Sequence, residues 1–345
     1  MAFCLTEDCH LPGKTPRYNS FMQTLVIGDI HGCYDELQSL LDKAGLTDAD
    51  AIISTGDCVD RGPETPKALS FFKEQPNAQL IMGNHERKHI RASRHEVKLS
   101  RSQQISKIQF AAVYPDALAF ISGLPIYLDL PQAILVHGYF EPGIACEEQK
   151  PSVVCGTMGG EKYLQTHYDR PWYELYDGEK PIVVGHKNYT DTDQPFVYQD
   201  RVFGLDTSCV TGKALTGLLL PAFRFISVPS RGNHWLRVSR MYPQPEKRAQ
   251  PRPEPVVWAE VEERALIDLI RKIYQANETI LRELQLNPAY ADSNPRGQAR
   301  LFGNLAGNGK LATLLQLARL GKLDAELARK ILKNPNELRE MIKKI

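Results

Sequence analysis

The sequence predicts an α/β fold followed by a C-terminal all-helical module. Short apolar runs recur between residues 24 and 220, and each stops at a glycine or a polar residue, as a buried strand does before a turn. Segments with helical periodicity separate the first three runs, and the same periodicity dominates after a proline-rich stretch. Because strands that alternate with helices pair in parallel, polar residues that follow these strands are expected to meet at one sheet edge.

The first elements follow in the order strand, helix, strand, helix, strand. The first helix spans residues 34–44 and ends at Gly45, and the second lies near residues 66–73, with Pro63 and Pro66 at its start. This order makes the first three strands a parallel set. The predicted strands cover residues 24–27, 51–55, 78–82, 133–136, 181–184, 202–205 and 214–220.

The chain divides into four predicted segments. Residues 1–22 form an N-terminal extension, and residues 23–241 form the α/β domain. Residues 242–255 contain five prolines and are typical of a semi-rigid linker, and residues 256–345 form the helical module.

Apolar residues mark one face of the first helix of this module. A last helix begins at Asn334, where Pro335 and Glu337 suit the first turn, and another is predicted over residues 324–333. The apolar faces need a partner, which is the α/β domain, a second copy or another protein. The face of the first helix consists of Val261, Ala265, Leu269, Ile273, Ile280 and Leu284.

Charge and cysteine content narrow the class of protein. The chain has 345 residues with 42 Lys and Arg against 41 Asp and Glu, so its net charge does not indicate a nucleic-acid or membrane partner. Seven cysteines, an odd number without repeating spacing, indicate reduced thiols. The sequence contains no apolar stretch long enough to span a membrane and no signal-peptide pattern, so a cytoplasmic location is expected.

Six short segments place carboxylates and imidazoles beside glycines after apolar runs. Taken singly, an Asp-x-His is usually a turn, an Asn-His a cap and an Asp-Arg-Gly an ion pair. Together they form a mixed nitrogen and oxygen ligand set that suits Mn, Fe or Zn better than Ca. The segments are Gly28-Asp29-Ile30-His31-Gly32, Gly56-Asp57-Cys58-Val59-Asp60-Arg61-Gly62, Gly83-Asn84-His85-Glu86, Val136-His137-Gly138, Gly185-His186 and Gly204-Leu205-Asp206-Thr207.

This set resembles the calcineurin-like metallophosphoesterase family over residues 23–240. The resemblance implies a central β-sandwich flanked by helices and two divalent metal ions, most readily Mn²⁺, with Fe or Zn as alternatives. It also implies in-line attack on phosphorus by a metal-bound hydroxide, without a covalent phosphoenzyme. The implied ligands are Asp29, His31 and Asp57 for the first ion, with Asp57 bridging, and Asn84, His137 and His186 for the second.

The resemblance also assigns roles beside the metals. His85 is implied to be the general acid that protonates the leaving alcohol, and Asp60 pairs with it and fixes its tautomer. Arg61 offers a planar fork of donors to the phosphate oxygens. Arg87 is the residue of the following basic segment that is expected to reach substrate, because it lies nearest to His85 in the sequence.

Two features narrow the substrate. The combination of Asp60-Arg61 with Gly-Asn-His-Glu resembles the motifs of one branch of the family, which contains the protein serine/threonine phosphatases and the bacterial diadenosine tetraphosphatases. The ending from Gly204 to Thr216 looks like the tetraphosphatase group, although Ser208 and Lys213 differ from its pattern.

We therefore expect a phosphoric ester hydrolase that acts on nucleotide or RNA-end substrates. A serine/threonine phosphoprotein phosphatase is the alternative, and a catalytically silent binding module with a docking tail is a third hypothesis.

A basic segment follows the Asn-His-Glu motif and gives an independent indication of the substrate. In a helix beside the site, such a cluster attracts a polyanion, whereas the alternative is a solvated helix face without a partner. Aromatic residues are not interleaved in it, so no base-stacking platform is predicted there. Its cations are Arg87, Lys88, Arg91, Arg94, Lys98, Arg101 and Lys107.

Overall fold

A computed structural model describes residues 23–242, 258–291, 293, 295–307 and 309–345. Their contacts divide them into two units, one of residues 23–138 with 180–242 and one of residues 139–179 with the C-terminal residues from 258 onward. Residues 139–179, which the sequence places in the α/β domain, therefore group with the C-terminal helices, and the four segment boundaries stay a prediction. The extension 1–22 and the linker after Tyr242 lie outside the described residues.

Two five-stranded mixed sheets form the first unit, with the orders β10-β9-β1-β2-β3 and β4-β5-β6-β8-β7. Buried residues of both sheets, including Val26, Ile53, Leu135, Val183 and Phe203, share one apolar core. The expected β-sandwich flanked by helices is thereby confirmed. The strands are β1 (Thr24–Ile27), β2 (Ala51–Ser54), β3 (Ala78–Leu80), β4 (Tyr127–Asp129), β5 (Ile134–Val136), β6 (Ile182–Val184), β7 (Phe196–Tyr198), β8 (Val202–Gly204), β9 (Ala214–Leu220) and β10 (Arg224–Pro229).

Parallel pairing brings the ends of the central strands to common edges. In the first sheet β1 pairs in parallel with β2, and β2 with β3, as the strand–helix alternation predicts. In the second sheet β5, β6 and β8 pair in parallel. Each of these strands ends within three residues of a segment with a polar motif, so the motifs gather at the carboxyl ends.

Three strands were not predicted from the sequence, and all three are antiparallel. β4, β7 and β10 lie at sheet edges and pair with β5, β8 and β9, respectively. Their residues are largely half-buried or exposed, so they lack the continuous apolar run by which the central strands were recognised.

The helices of the first unit flank the sheets, and the basic segment forms two of them rather than one. The first of the two helices ends at Ser93, and His95 adopts a left-handed φ of 62°, which ends helical geometry there. The helices of this unit are α1 (Tyr34–Ala44), α2 (Thr65–Glu74), α3 (Asn84–Ser93), α4 (Arg101–Phe110), α5 (Tyr114–Ser122) and α9 (His234–Met241), with 3-10 turns at Ala111–Val113 and Cys209–Thr211.

The second unit is helical throughout its regular structure in the described residues. The capped start predicted for the last helix is confirmed, because the Asn334 side chain accepts a hydrogen bond from the Glu337 backbone N–H at 3.1 Å. Its helices are α6 (Pro151–Val154), α7 (Met158–His167), α8 (Trp172–Leu175), α10 (Glu260–Gln285), α11 (Pro288–Ala291), α12 (Pro295–Ala306), α13 (Lys310–Arg319), α14 (Ala325–Leu332) and α15 (Pro335–Ile342), with a 3-10 turn at Cys146–Glu148.

The C-terminal helices cover one another's apolar faces. Leu269 and Ile273 of α10 lie in one core with Phe302 of α12 and Leu314 of α13. The assignment of Val261 to the buried face is wrong, because its side chain is 76% exposed in the first turn of α10. The partner required by the apolar faces is therefore provided largely within the helical region itself. Among the described helices, none has the length and apolar character needed to cross a bilayer.

A buried carboxylate connects α1 to α9. Glu36 Oε1 accepts hydrogen bonds from His234 Nε2 at 2.6 Å and from the Arg231 backbone N–H at 2.8 Å. Arg237 Nη2 donates to His234 Nδ1 at 2.9 Å, so the imidazole proton lies on Nε2 and points at Glu36. Burial raises the pKa of Glu36, but the hydrogen bond from His234 and its other partners outweigh this and lower the pKa to about 2.

We expect Ile273→Ala to destabilise the helical unit by about 2–5 kcal/mol, the usual range for truncating a fully buried isoleucine. Ile267→Ala is the matched control, because Ile267 lies on the same helix with its side chain 52% exposed. Differential scanning calorimetry of both variants measures the effect. Equal shifts in the two transition temperatures would contradict the packing described for α10.

Glu36 predicts a pH-dependent contribution to stability. Its folded pKa is depressed from near 4.5 to about 2, so the stabilisation is present above pH 4.5 and is lost as the pH falls towards 2. Glu36→Gln should therefore lower the melting temperature of metal-stripped protein at pH 7, and the difference from the unmodified protein should shrink between pH 4.5 and 2. Asp35→Asn, which affects an exposed ion pair with Arg231, is the control and should change little. A pH-independent effect of Glu36→Gln would show that its carboxylate charge does not contribute.

Candidate metal centre

Asp57 lies at the centre of the gathered motifs, directly after β2. Its Oδ1 is 3.3 Å from His137 Nε2, and its Oδ2 is 3.7 Å from His31 Nε2. The side chain is almost completely buried. The two oxygens of one carboxylate thus face two different imidazoles, as a carboxylate shared between two cations would.

The first group of ligand atoms surrounds Asp57 Oδ2. His31 Nε2 is 3.8 Å from Asp29 Oδ2, and both residues follow β1. His31 Nδ1 bonds the Val59 carbonyl oxygen at 2.8 Å. Since a carbonyl oxygen only accepts, Nδ1 carries the proton and Nε2 presents its lone pair to the centre.

The second group surrounds Asp57 Oδ1. Asn84 Oδ1 is 3.0 Å from His137 Nε2 and 2.9 Å from His186 Nδ1, so an amide oxygen and two imidazole nitrogens converge. His137 Nδ1 donates to the Thr55 carbonyl at 3.0 Å, which directs Nε2 inward. The structure therefore brings together all six residues that the resemblance implies as ligands.

The charges of this site fit divalent cations. Burial, followed by the nearby charge of Asp206, raises the pKa of Asp29 well above its ordinary value. Asp57 outweighs the effect of burial on His137 and raises its pKa to about 9, whereas burial and the neighbouring His137 lower the pKa of His186 to about 3. A proton on His137 thus compensates the carboxylates at a position that a cation would take, and metal binding is expected to release it. His/Asp groups able to hold a metal ion overlap at Asp57, one with His31 and His85 and one with His137 and His186.

His85 lies beside these groups, at the start of α3. Its Nδ1 is 2.6 Å from Asp60 Oδ2, and its Nε2 is 3.8 Å from Asp57 Oδ2. Burial raises the pKa of Asp60, but hydrogen bonds from His85 and His89 outweigh it and hold the pKa well below its usual range. An ionised Asp60 requires the proton of His85 on Nδ1, so that Nε2 faces the centre.

The two arginines differ in their placement. Arg61 Nη1 is 3.1 Å from His31 Nε2, so this guanidinium lies at the centre. Arg87 is half-buried on α3. Its contact with substrate stays a prediction.

Several residues of the site have backbone conformations that are rare for residues other than glycine. His31, Asp57, Asp60, Arg61 and His186 all have φ between 48° and 73°. Such left-handed conformations cost free energy and concentrate at functional sites.

The motif glycines permit the same close geometry. A Cβ on Gly83 would lie 2.2 Å from Asp57 Oδ1, and one on Gly185 would lie 2.3 Å from Asp29 Oδ1. Glycine at these positions therefore allows the backbone to approach the carboxylates.

Three supporting residues were not assigned from the sequence. Glu86 accepts hydrogen bonds from the Asp57 and Val59 backbone N–H groups at 2.9 and 3.1 Å, and so holds the loop after β2. His89 Nε2 is 2.9 Å from Asp60 Oδ1, and Gln103 Nε2 bonds Asp60 Oδ2. The spacing of His85 and His89, four residues apart on one helix face, could have identified His89. Nothing in the sequence indicates Gln103, which comes from α4.

Comparison with known proteins identifies the family of this chain. The model of the calcineurin-like phosphoesterase family matches residues 22–213. The chain is 32% identical over 244 residues to Bis(5'-nucleosyl)-tetraphosphatase PrpE [asymmetrical] of Halalkalibacterium halodurans, covering 61% of this chain and 95% of that protein. The protein of the same description from Geobacillus thermodenitrificans is 30% identical over 238 residues, covering 61% and 95%.

A solved structure of a metallophosphoesterase from Sphaerobacter thermophilus is 18% identical, with a TM-score of 0.43, over 65% of this chain and 96% of that chain. The family model alone matches more than half of the chain. The chain belongs to the calcineurin-like phosphoesterase family and is a phosphoric ester hydrolase.

Proposed function

We propose that this chain is a dinuclear metal-dependent phosphoesterase that acts on nucleotide or RNA-end substrates, with dinucleoside polyphosphates as the first candidate. The observation that supports it best is the position of Asp57, whose two oxygens face two separate groups of nitrogen and oxygen atoms. A site for a single ion would not need its central carboxylate to face ligands on both sides.

The proposed ligands divide between the two oxygens of Asp57. Asp29 and His31 lie beside Oδ2, and Asn84, His137 and His186 beside Oδ1. We propose Mn²⁺ as the native ion, with Fe or Zn as alternatives, because the ligands mix carboxylate, amide and imidazole. Two bound ions would polarise the phosphoryl group and supply a nucleophile near neutral pH.

The other residues bind the phosphate and transfer a proton. Arg61 presents its planar guanidinium at the centre and can donate two parallel hydrogen bonds to phosphate oxygens. His85 directs Nε2 towards the centre and, when protonated there, donates that proton to the leaving oxygen. Asp60 positions the imidazole through its contact with Nδ1.

The substrate class is supported by the relatives and by the cations at the site. The relatives that share about a third of their residues with this chain are described as bis(5'-nucleosyl)-tetraphosphatases. Arg61 and Arg101 line a common pocket beside the centre, which favours a substrate with several phosphates. A serine/threonine phosphoprotein substrate is the alternative.

Two further expectations remain proposals. A cytoplasmic location agrees with the sequence pattern. Binding of a protein partner or of a second copy through residues 256–345 has less support than the sequence alone implied, because the apolar faces of these helices largely cover one another.

The first test is the return of activity to metal-stripped protein. Mn²⁺ should restore hydrolysis, and diadenosine tetraphosphate or a 5′-triphosphate RNA should be turned over faster than a phosphoserine peptide, with p-nitrophenyl phosphate as a general substrate. Asp57→Asn is the control and should neither bind two ions nor recover, as measured by elemental analysis and phosphate release. Turnover confined to the peptide would replace our substrate proposal, and no turnover with two ions bound would favour the silent binding module.

His85→Asn should slow turnover by about 10²–10⁴-fold, the usual range for a lost general acid, while the bound metal content is unchanged. The loss should be larger on phenyl phosphate than on p-nitrophenyl phosphate, because nitrophenolate needs less protonation as it leaves. His95→Asn is the matched control, since His95 is exposed and Asn tolerates its positive φ. Equal losses of kcat on the two phosphates would argue against the acid role.

A further inference from the structure

A pocket of about 360 Å³ lies beside Arg61. Among its lining residues, only Arg61 takes part in the proposed chemistry. Its volume lies within the range of small-molecule sites. Four parts of the first unit form it, namely the loop after β2, the start of α4, the 3-10 turn after Asp206 and the first turn of α9. The lining residues are Arg61, Ser100, Arg101, Ser102, Thr211 and Trp235.

Trp235 is the aromatic residue of this lining and is half-buried. The guanidinium carbon of Arg101 lies 6.0 Å from the centroid of its indole ring. Arg101 also bonds the backbone carbonyls of Ser239 and Tyr242, which holds the end of α9 against α4. The contact of Glu36 with His234 fixes the start of the same helix, so Trp235 is held between two anchored points.

We propose that this pocket binds the nucleobase and ribose of a nucleotide substrate, with Trp235 as the stacking surface for the base. The inference rests on the proposed phosphoesterase function, because Arg61 links the pocket to the metal centre. A nucleotide has an anionic end and a flat aromatic end, and the site has a guanidinium at the centre and an indole in the adjoining pocket. Ser100 and Thr211 also line the pocket; their hydroxyls donate to Gln103 Oε1 and to the Ser208 carbonyl, so their oxygens can accept hydrogen bonds from sugar or base.

The composition of the pocket favours a nucleotide over a phosphopeptide. Stacking on an indole is tolerant of base identity, since each base has a π face. Arg101 adds a second planar cation over the ring of Trp235, and cations of this kind also stack on bases. A phosphoserine side chain has no flat group that would use this surface.

A structural role for Trp235 is the competing explanation. The indole could serve only to cover Arg101 and hold α9 in place. In that case its removal would weaken every ligand of the centre to a similar degree. A stacking role instead predicts a loss that depends on the presence of a base.

The deciding experiment compares AMP with inorganic phosphate as inhibitors of p-nitrophenyl phosphate hydrolysis by the Mn²⁺-loaded enzyme. For Trp235→Ala, the ratio of the AMP inhibition constant to the phosphate inhibition constant should rise about 10- to 100-fold, the loss expected for one stacked base. Trp235→Phe keeps an aromatic ring at this position, so its ratio of inhibition constants should stay close to that of the unmodified enzyme. Leu236→Ala is the control on the same helix, with a side chain that is 45% exposed, and should leave the ratio unchanged. A ratio that changes less than twofold in Trp235→Ala, or a parallel rise in both constants, would overturn the proposal.

A second measurement separates this inference from the proposed function, because it needs neither turnover nor phosphate. The chain has three tryptophans, Trp172, Trp235 and Trp258, and stacking of added adenosine should quench the fluorescence of Trp235. The quenching should be lost in Trp235→Phe and retained in Leu236→Ala. Quenching without any hydrolysis would sustain the base pocket and reject the phosphoesterase proposal. Hydrolysis of diadenosine tetraphosphate without quenching would sustain the phosphoesterase proposal and reject the base pocket.

Discussion

The arrangement of this site depends on one buried carboxylate that faces two sets of proposed ligands. Asp57 follows β2, and its oxygens reach His31 from β1 and His137 from β5, which belong to different sheets. The sandwich must therefore hold its two sheets in one relative position for the ligands to meet. Glu86 accepts hydrogen bonds from the loop that carries Asp57, and Gly83 leaves room for its carboxylate. A small shift of β2 would disturb both sets at once.

Asp60 is a second buried carboxylate that holds several elements together, here the loop after β2 and two helices. It is completely buried and binds His85, His89 and Gln103 together, so one charge connects the loop after β2 to α3 and α4. A buried ionised carboxylate is costly unless it is fully hydrogen-bonded, and three donors satisfy this requirement. The same contacts that make its burial tolerable fix the orientation of His85. Stability and the proposed proton transfer by His85 thus depend on the same hydrogen bonds.

The parts that the sequence predicts are those encoded by neighbouring residues. β1, α1 and the order of the first three strands follow from local periodicity, and each proposed ligand lies within four residues of a strand end. β4, β7 and β10 were missed because their residues are largely half-buried or exposed and so form no continuous apolar run. The prediction that the basic segment forms one helix was wrong, because His95 adopts a left-handed conformation between α3 and α4. Gln103 and Trp235 reach the site only through long-range packing, for which the sequence has no local pattern.

Residues at strand ends and residues placed by long-range packing have different proposed roles, the first in metal binding and the second in substrate binding. The proposed metal ligands come from the ends of hydrogen-bonded strands, where the backbone is held on both sides and positions are fixed most closely. The pocket beside Arg61 is built from α4, α9 and a 3-10 turn, which side-chain contacts such as those of Arg101 and Glu36 hold in place. Helices attached in this way can change their lining residues without altering the strand register. In our proposals the reaction therefore depends on the sheets, and the choice of substrate depends on the helices that border them.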